Sequence, residues 1–280
     1  MKLARIGDCG KEIPIVIEEN NAFDASAHFK DWDSEFFQSG GLLKLEENLR
    51  SKSLPQVSLE GIRYGSCVAR PHKIICIGLN YSDHAAESKM EIPKEPLIFM
   101  KATNTVIGPY DSVKIPKGSE KTDWEVELGV VMGKNASYLS SPEEASEFIA
   151  GYTISHDISE RSFQLERGGQ WVKGKSCDTF NPLGPVLLTK DEVQKVQNLN
   201  LWLTVNGKRV QDGNTANMIF DVSFIVHYLS QFMTLEAGDL INTGTPAGVG
   251  FGLGWYLKAG DVVELGIEGF GSQRQTFIKA

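Results

Sequence analysis

A regular alternation of apolar and acidic positions runs through Asp123-Trp124-Glu125-Val126-Glu127-Leu128-Gly129-Val130-Val131-Met132. Read as a strand, its period of two puts Trp124, Val126, Leu128 and Val130 on one face, suited to a core. Asp123, Glu125 and Glu127 then line the other face. Apolar runs bounded by turn residues predict further strands at 13–17, 73–78, 152–156, 201–205, 239–242 and 262–267. Helical spacing covers 36–49. Ser141, Pro142 and Glu144 form an N-cap, N1 and N3 signature that predicts a helix closed by Gly151. Asp221 is placed to cap a helix in which Val222, Ile225, Val226, Leu229, Phe232 and Met233 form a core stripe. Scattered strands and few long helices predict an α+β, β-rich fold, not a doubly wound sheet. The turn-rich 51–55 segment marks a boundary between a small N-terminal α/β domain, 1–64, and a larger domain, 65–280. Near the C-terminus, Leu235-Glu236-Ala237-Gly238-Asp239 is echoed by Leu257-Lys258-Ala259-Gly260-Asp261, each a glycine turn leading into a strand.

The 280 residues carry a net charge of −8 with no basic block, which argues against a nucleic-acid or anionic-membrane partner. None of Cys9, Cys67, Cys76 and Cys177 forms a C-x-x-C pair, as expected of structural thiols in a reducing compartment. No apolar run approaches the ~18 residues of a membrane span, so a cytoplasmic protein is expected.

The acidic face carries the first candidate chemistry. Carboxylates one pleat apart repel by a few kcal/mol, about 4 kcal/mol at ~4 Å and intermediate dielectric. Such a face is either solvated or holds a cation. Asp157 ends the 152–156 strand and begins a helical pattern. It reads as an N-cap with Glu160 completing a capping box, as a third metal ligand, or as both. Arg161 and Gln164 share a face at i,i+3 and suit a substrate carboxylate and its neighbouring carbonyl. His84 and Glu87, also at i,i+3, form either a surface pair or a water-activating dyad. Lys175, flanked by small residues, is a loop charge or an oxyanion and proton partner. The glycine-rich 243–254 segment is either a mobile surface loop or one that offers backbone N–H groups and the Thr245 hydroxyl to a substrate carboxylate. No register there satisfies G-x-G-x-x-G, which disfavours a dinucleotide cofactor.

Taken in order, Ile77-Gly78-Leu79-Asn80-Tyr81 through Glu87, then 123–129, 157–164, 175–180 and 243–250, resemble the fumarylacetoacetate hydrolase family over about residues 71–271. The resemblance implies a mixed β-sandwich roll, commonly a homodimer, with a divalent cation on Glu125, Glu127 and Asp157. It implies His84 with Glu87 as the dyad and Lys175 beside the metal. Arg161, Gln164, Thr245 and Tyr81 would contact substrate, and Asp123 becomes an outer partner of the site. The 118–124 and 168–178 segments are similar to 2,4-diketo-3-deoxy-L-fuconate hydrolases and ureidoglycolate lyase-like members. His156 and Ser162 depart from that pattern, where asparagine and aspartate are expected.

An oxygen-only ligand set selects a hard cation, Mg²⁺ first, with Mn²⁺ or Ca²⁺ as alternatives, and disfavours zinc. The expected reaction is hydrolytic C–C cleavage of a 2,4-dioxo acid. A diketo-deoxy sugar acid would give pyruvate plus a small hydroxy acid. Ureidoglycolate cleavage, oxaloacetate decarboxylation and acylpyruvate hydrolysis are the alternatives on the same metal site.

Overall fold

The computed structural model describes residues 1–19, 21–87 and 90–280. Strand Val126–Met132 lies inside a ten-stranded sheet, antiparallel to Ile149–His156 on one side and to Leu240–Asn242 on the other. Beyond Leu240–Asn242 come Ile74–Gly78, its parallel neighbour, and the edge strand Leu97–Lys101. Beyond Ile149–His156 come Leu187–Thr189, Lys2–Ile6, Ile13–Glu18, Asn21–Asp24 and Gln56–Val57. The N-terminal strands thus extend the same sheet, and hydrogen bonds between Lys2–Ile6 and Leu187–Thr189 cross the boundary expected after residue 64.

A second sheet has five strands, in the order Lys208–Asn214, Asn200–Val205, Val262–Ile267, Gly271–Lys279 and Val113–Ile115. One continuous core joins the two sheets. Trp124, Val126, Leu128 and Val130 pack with Leu203, Val263 and Leu265, as the alternation requires. Val131, on the opposite face, belongs to a second core with Trp32, Phe36 and Leu45. The expected α+β, strand-rich architecture is the one observed, and no described helix is long and apolar enough to cross a membrane.

Several local expectations are corrected. The helix predicted over 36–49 is two helices, Ser34–Gln38 and Gly41–Arg50, because Gly40 turns left-handed at φ 71°. The segment after Ser141 is a 3₁₀ helix, Pro142–Glu147, and Gly151 lies within a strand instead of closing a helix. A β-carbon there would meet the Leu188 carbonyl oxygen at 2.0 Å, so strand pairing, not helix termination, requires this glycine. Helix Val222–Ser230 is capped as expected, with Asp221 accepting from Phe224 N at 2.8 Å. The two echoed turns share one chemistry: Asp239 accepts from Glu236 N and Asp261 from Lys258 N, each at 2.7 Å.

Candidate active site

Glu125 sits in the break between the short ribbon strand Thr122–Asp123 and strand Val126–Met132, and Glu127 is the second residue of the latter. Asp157 immediately follows Ile149–His156. The Val126–His156 register brings Asp157 beside Glu125, whose carbonyl accepts Asp157 N at 3.0 Å. The three side chains are buried, and one carboxylate oxygen of each lies within 4.8 Å of the others. Asp157 is not an N-cap. The chain stays extended through Ser159–Glu160, and Glu160 caps helix Arg161–Leu165 by accepting from Ser162 N at 3.2 Å.

Buried cations surround this cluster. Lys175 Nζ donates to Glu125 Oε2 at 2.7 Å and Asp157 Oδ2 at 2.9 Å. Lys101, the last residue of the edge strand, reaches the other Asp157 oxygen and the Ile158 carbonyl. Sequence reasoning missed Lys101, which looks like the solvated end of an apolar strand. Arg161 donates to Asp123, Glu125 and Gln164. Burial alone would raise the Glu125 carboxyl, but Lys175 and Arg161 outweigh it and hold it at about 2. Glu127 is pushed well above the usual range by burial and by the charges of Asp157 and Glu125. Lys175 stays protonated because Asp157 and Glu125 overcome its desolvation.

Among the described residues, Glu127 accepts one hydrogen bond, from Gly244 N at 2.8 Å, and has no cation at ion-pair distance. A buried carboxylate left uncompensated is costly. With two further carboxylates in reach and only oxygen donors, the cluster fits a hard divalent cation.

His84 and Glu87 lie on helix Ser82–Glu87, with Nδ1 and Oε2 3.6 Å apart. Glu87 is anchored by Gly248 N, and buried His84 Nδ1 has no hydrogen-bond partner. Asp123 accepts Arg161 Nε at 2.8 Å and the N–H groups of Gly250 and Phe251 at 2.6 and 2.9 Å. It therefore ties the glycine loop to the arginine. The N–H groups of Gly244, Gly248, Gly250 and Phe251 in this loop go to the protein's own carboxylates. Thr245 Oγ1 donates to Val126 O and accepts from Gln211, leaving one acceptor lone pair.

A cavity of about 200 Å³ brings together His84, Glu125, Glu127, Arg161, Gln164, Lys175 and Thr245. Tyr81 does not line it; that side chain is fully buried with an unpartnered hydroxyl. His156 is also buried, with Nδ1 3.0 Å from Gln275 Oε1.

Comparison with known proteins matches this arrangement to a family. The model of the fumarylacetoacetate (FAA) hydrolase C-terminal region matches residues 73–278. A Burkholderia multivorans protein, provisionally named a hydrolase without a substrate, is 51% identical over 279 residues, 98% of each chain. A fumarylacetoacetate hydrolase from Exiguobacterium antarcticum superposes with a TM-score of 0.85 at 32% identity, covering 100% of both chains. The maleylpyruvate hydrolase of Sphingobium sp. SYK-6, solved with manganese(II) and pyruvate, gives a TM-score of 0.82 at 25% identity over 100% of both chains. By sequence match across three quarters of its length and by full-length likeness of fold, the chain belongs to the fumarylacetoacetate hydrolase family, whose members are enzymes.

Proposed function

We propose that the protein is a divalent-metal-dependent hydrolase that cleaves the C3–C4 bond of a 2,4-dioxo acid, releasing pyruvate and the acid of the departing acyl group. The observation that carries this reading is the uncompensated Glu127 carboxylate beside Glu125 and Asp157, on the floor of a cavity that His84 also lines. Glu125, Glu127 and Asp157 would hold the cation, with Mg²⁺ first and Mn²⁺ or Ca²⁺ as alternatives. The manganese and pyruvate in the Sphingobium neighbour support both the cation and the product. Bound there, a divalent cation supplies Lewis-acid polarisation of the substrate's carboxylate and 2-oxo oxygens.

The chain's own groups supply the rest. His84, with Glu87 on its Nδ1 side, takes a proton from a water that attacks the C4 carbonyl. Collapse of the tetrahedral species breaks C3–C4 and leaves the electron pair on the three-carbon fragment. Lys175, held protonated by its carboxylate neighbours, delivers a proton to C3. Arg161 and Gln164 orient the substrate carboxylate through their remaining N–H groups, beside Thr245. The same reading includes a homodimer.

One panel tests this. Purified protein with Mg²⁺ or Mn²⁺ is offered dioxo sugar acids, acylpyruvates, oxaloacetate and ureidoglycolate, with pyruvate, glyoxylate and urea read separately. Pyruvate release from a dioxo acid is expected, and its collapse in His84→Ala separates hydrolysis from decarboxylation, which needs no attacking water. Absence of turnover across the panel would sink the reading.

A further inference from the structure

The cavity has two ends of unlike chemistry. Its floor holds the carboxylates with His84, Arg161 and Lys175. Its mouth is walled by Met90, Leu97, Phe99, Leu165, Trp171 and Phe251. Met90, Leu97, Leu165 and Phe251 are 53%, 39%, 41% and 47% exposed, a concentration of large apolar side chains left in water at one rim. Aromatic rings join the two ends. Phe99 lies 5.0 Å from Lys175 Nζ, Phe251 lies 6.0 Å from Arg161 Cζ, and Trp171 meets Phe99 edge-on at 5.2 Å.

The floor's cations are already paired with carboxylates. Arg161 pairs with Asp123 and Glu125, and Lys175 with Glu125 and Asp157. Among the described lining residues, no cation without a carboxylate partner is left to receive a second substrate carboxylate. Apart from the Trp171 indole N–H, every polar side chain among them belongs to the floor. A polyhydroxylated chain entering the mouth would lose water against these walls and find only the Trp171 N–H as a side-chain partner among the described lining residues. A hydrocarbon chain would gain by the same burial.

We propose that the mouth is a subsite for a hydrocarbon acyl group, so that the preferred substrate is a 2,4-dioxo acid carrying an alkyl or aryl substituent on its C4 carbonyl. A polyhydroxylated chain or a second carboxylate is disfavoured there. This rests on the dioxo-acid reading above and narrows it away from sugar acids.

Two readouts on the full-length, Mn²⁺-loaded protein keep the two readings apart. The first is hydrolysis of acetyl-, butanoyl-, hexanoyl- and benzoylpyruvate against a polyhydroxylated dioxo acid of equal length. The second is calorimetric binding of 2-oxobutanoate, 2-oxohexanoate, 2-oxooctanoate and a 3-deoxy-2-oxo sugar acid, none of which carries the cleavable 1,3-dicarbonyl. Both kcat/KM and affinity are expected to rise about 4-fold per buried methylene until the cavity is filled. Leu165→Ser and Phe251→Ser should flatten that slope. Tail-dependent binding without turnover of any dioxo acid keeps the subsite and overturns the hydrolase reading. Turnover with a flat slope, or with the hydroxylated acid preferred at equal length, overturns the subsite and keeps the hydrolase. If the serine variants change the mass in solution and leave the slope intact, the rim faces a second copy of the chain and the subsite is overturned. Absence of both binding and turnover overturns both.

Discussion

The ammonium of Lys175 lies 2.7 Å from Oε2 of Glu125, and its second bond, at 2.9 Å, reaches Asp157. Lys175, Lys101 and Arg161 thus pair with Glu125 and Asp157, and Glu127 has no cation at ion-pair distance among the described residues. Burial and the neighbouring Asp157 and Glu125 charges hold the Glu127 carboxyl protonated over a wider pH range than usual. A metal binds only the carboxylate, so uptake should release a proton. Affinity for Mg²⁺ or Mn²⁺ is therefore expected to climb with pH, by up to about tenfold per unit below the raised pKa, and then level off. Glu127→Gln mimics the protonated side chain and should leave the melting of the metal-free protein nearly unchanged. Its metal affinity should fall by at least the roughly 100-fold that loss of an outer partner can cost. Calorimetry in buffers of different ionisation enthalpy checks the proton. If none is released, Glu127 is not a ligand.

Asp123 couples two parts of the site that are distant in sequence. Its carboxylate holds Arg161 Nε and the N–H groups of Gly250 and Phe251, all in a buried setting. Asp123→Ala leaves Arg161 with Glu125 as its remaining carboxylate partner and takes the acceptor from the Gly250 and Phe251 N–H groups, so it should cost about 3 kcal/mol in urea unfolding. Asp123→Asn keeps an acceptor for the loop and should fall between. In that variant KM should rise more than kcat falls, because Arg161 loses one of the groups that aim it. Unfolding of the alanine variant at the wild-type urea midpoint would refute the clamp.

The acidic cluster was legible because strand geometry alone aligns alternate residues. Trp124, Val126, Leu128 and Val130 reach one core, and Glu125 and Glu127 project away from it whatever the sheet around them. Asp157 offered two compatible readings, a cap and a carboxylate of the cluster, and the structure removes the cap. A local capping box competes with long-range pairing, and here Asp157 N bonds to Glu125 O while the cap passes to Glu160. The glycine loop was legible only in part, for a related reason. Its composition shows that N–H groups are free of helix and strand, but not that Glu87, Glu127 and Asp123 will take them. Lys101 left no local signal, since only the pairing of Leu97–Lys101 with Ile74–Gly78 carries its ammonium inward to Asp157.

His156 sets an acid limit on the fold. Its ring is fully buried, Nε2 has no partner, and Nδ1 faces Gln275. Burial is the main cause that lowers its pKa to about 4, against 6.5 for the free side chain. The folded state therefore holds a neutral imidazole where the unfolded chain takes up a proton. Well above pH 6.5 both states are neutral and the fold carries no penalty. As pH falls from there toward 4, the unfolded state gains the proton first and stability declines, by on the order of 3 kcal/mol for the full shift. His156→Asn removes the titrating group while retaining a polar partner for Gln275, so its stability should decline less over that window. Urea unfolding of both proteins at half-unit steps between pH 7 and pH 4 makes the comparison. Parallel curves through the whole window would show that His156 is not the group responsible.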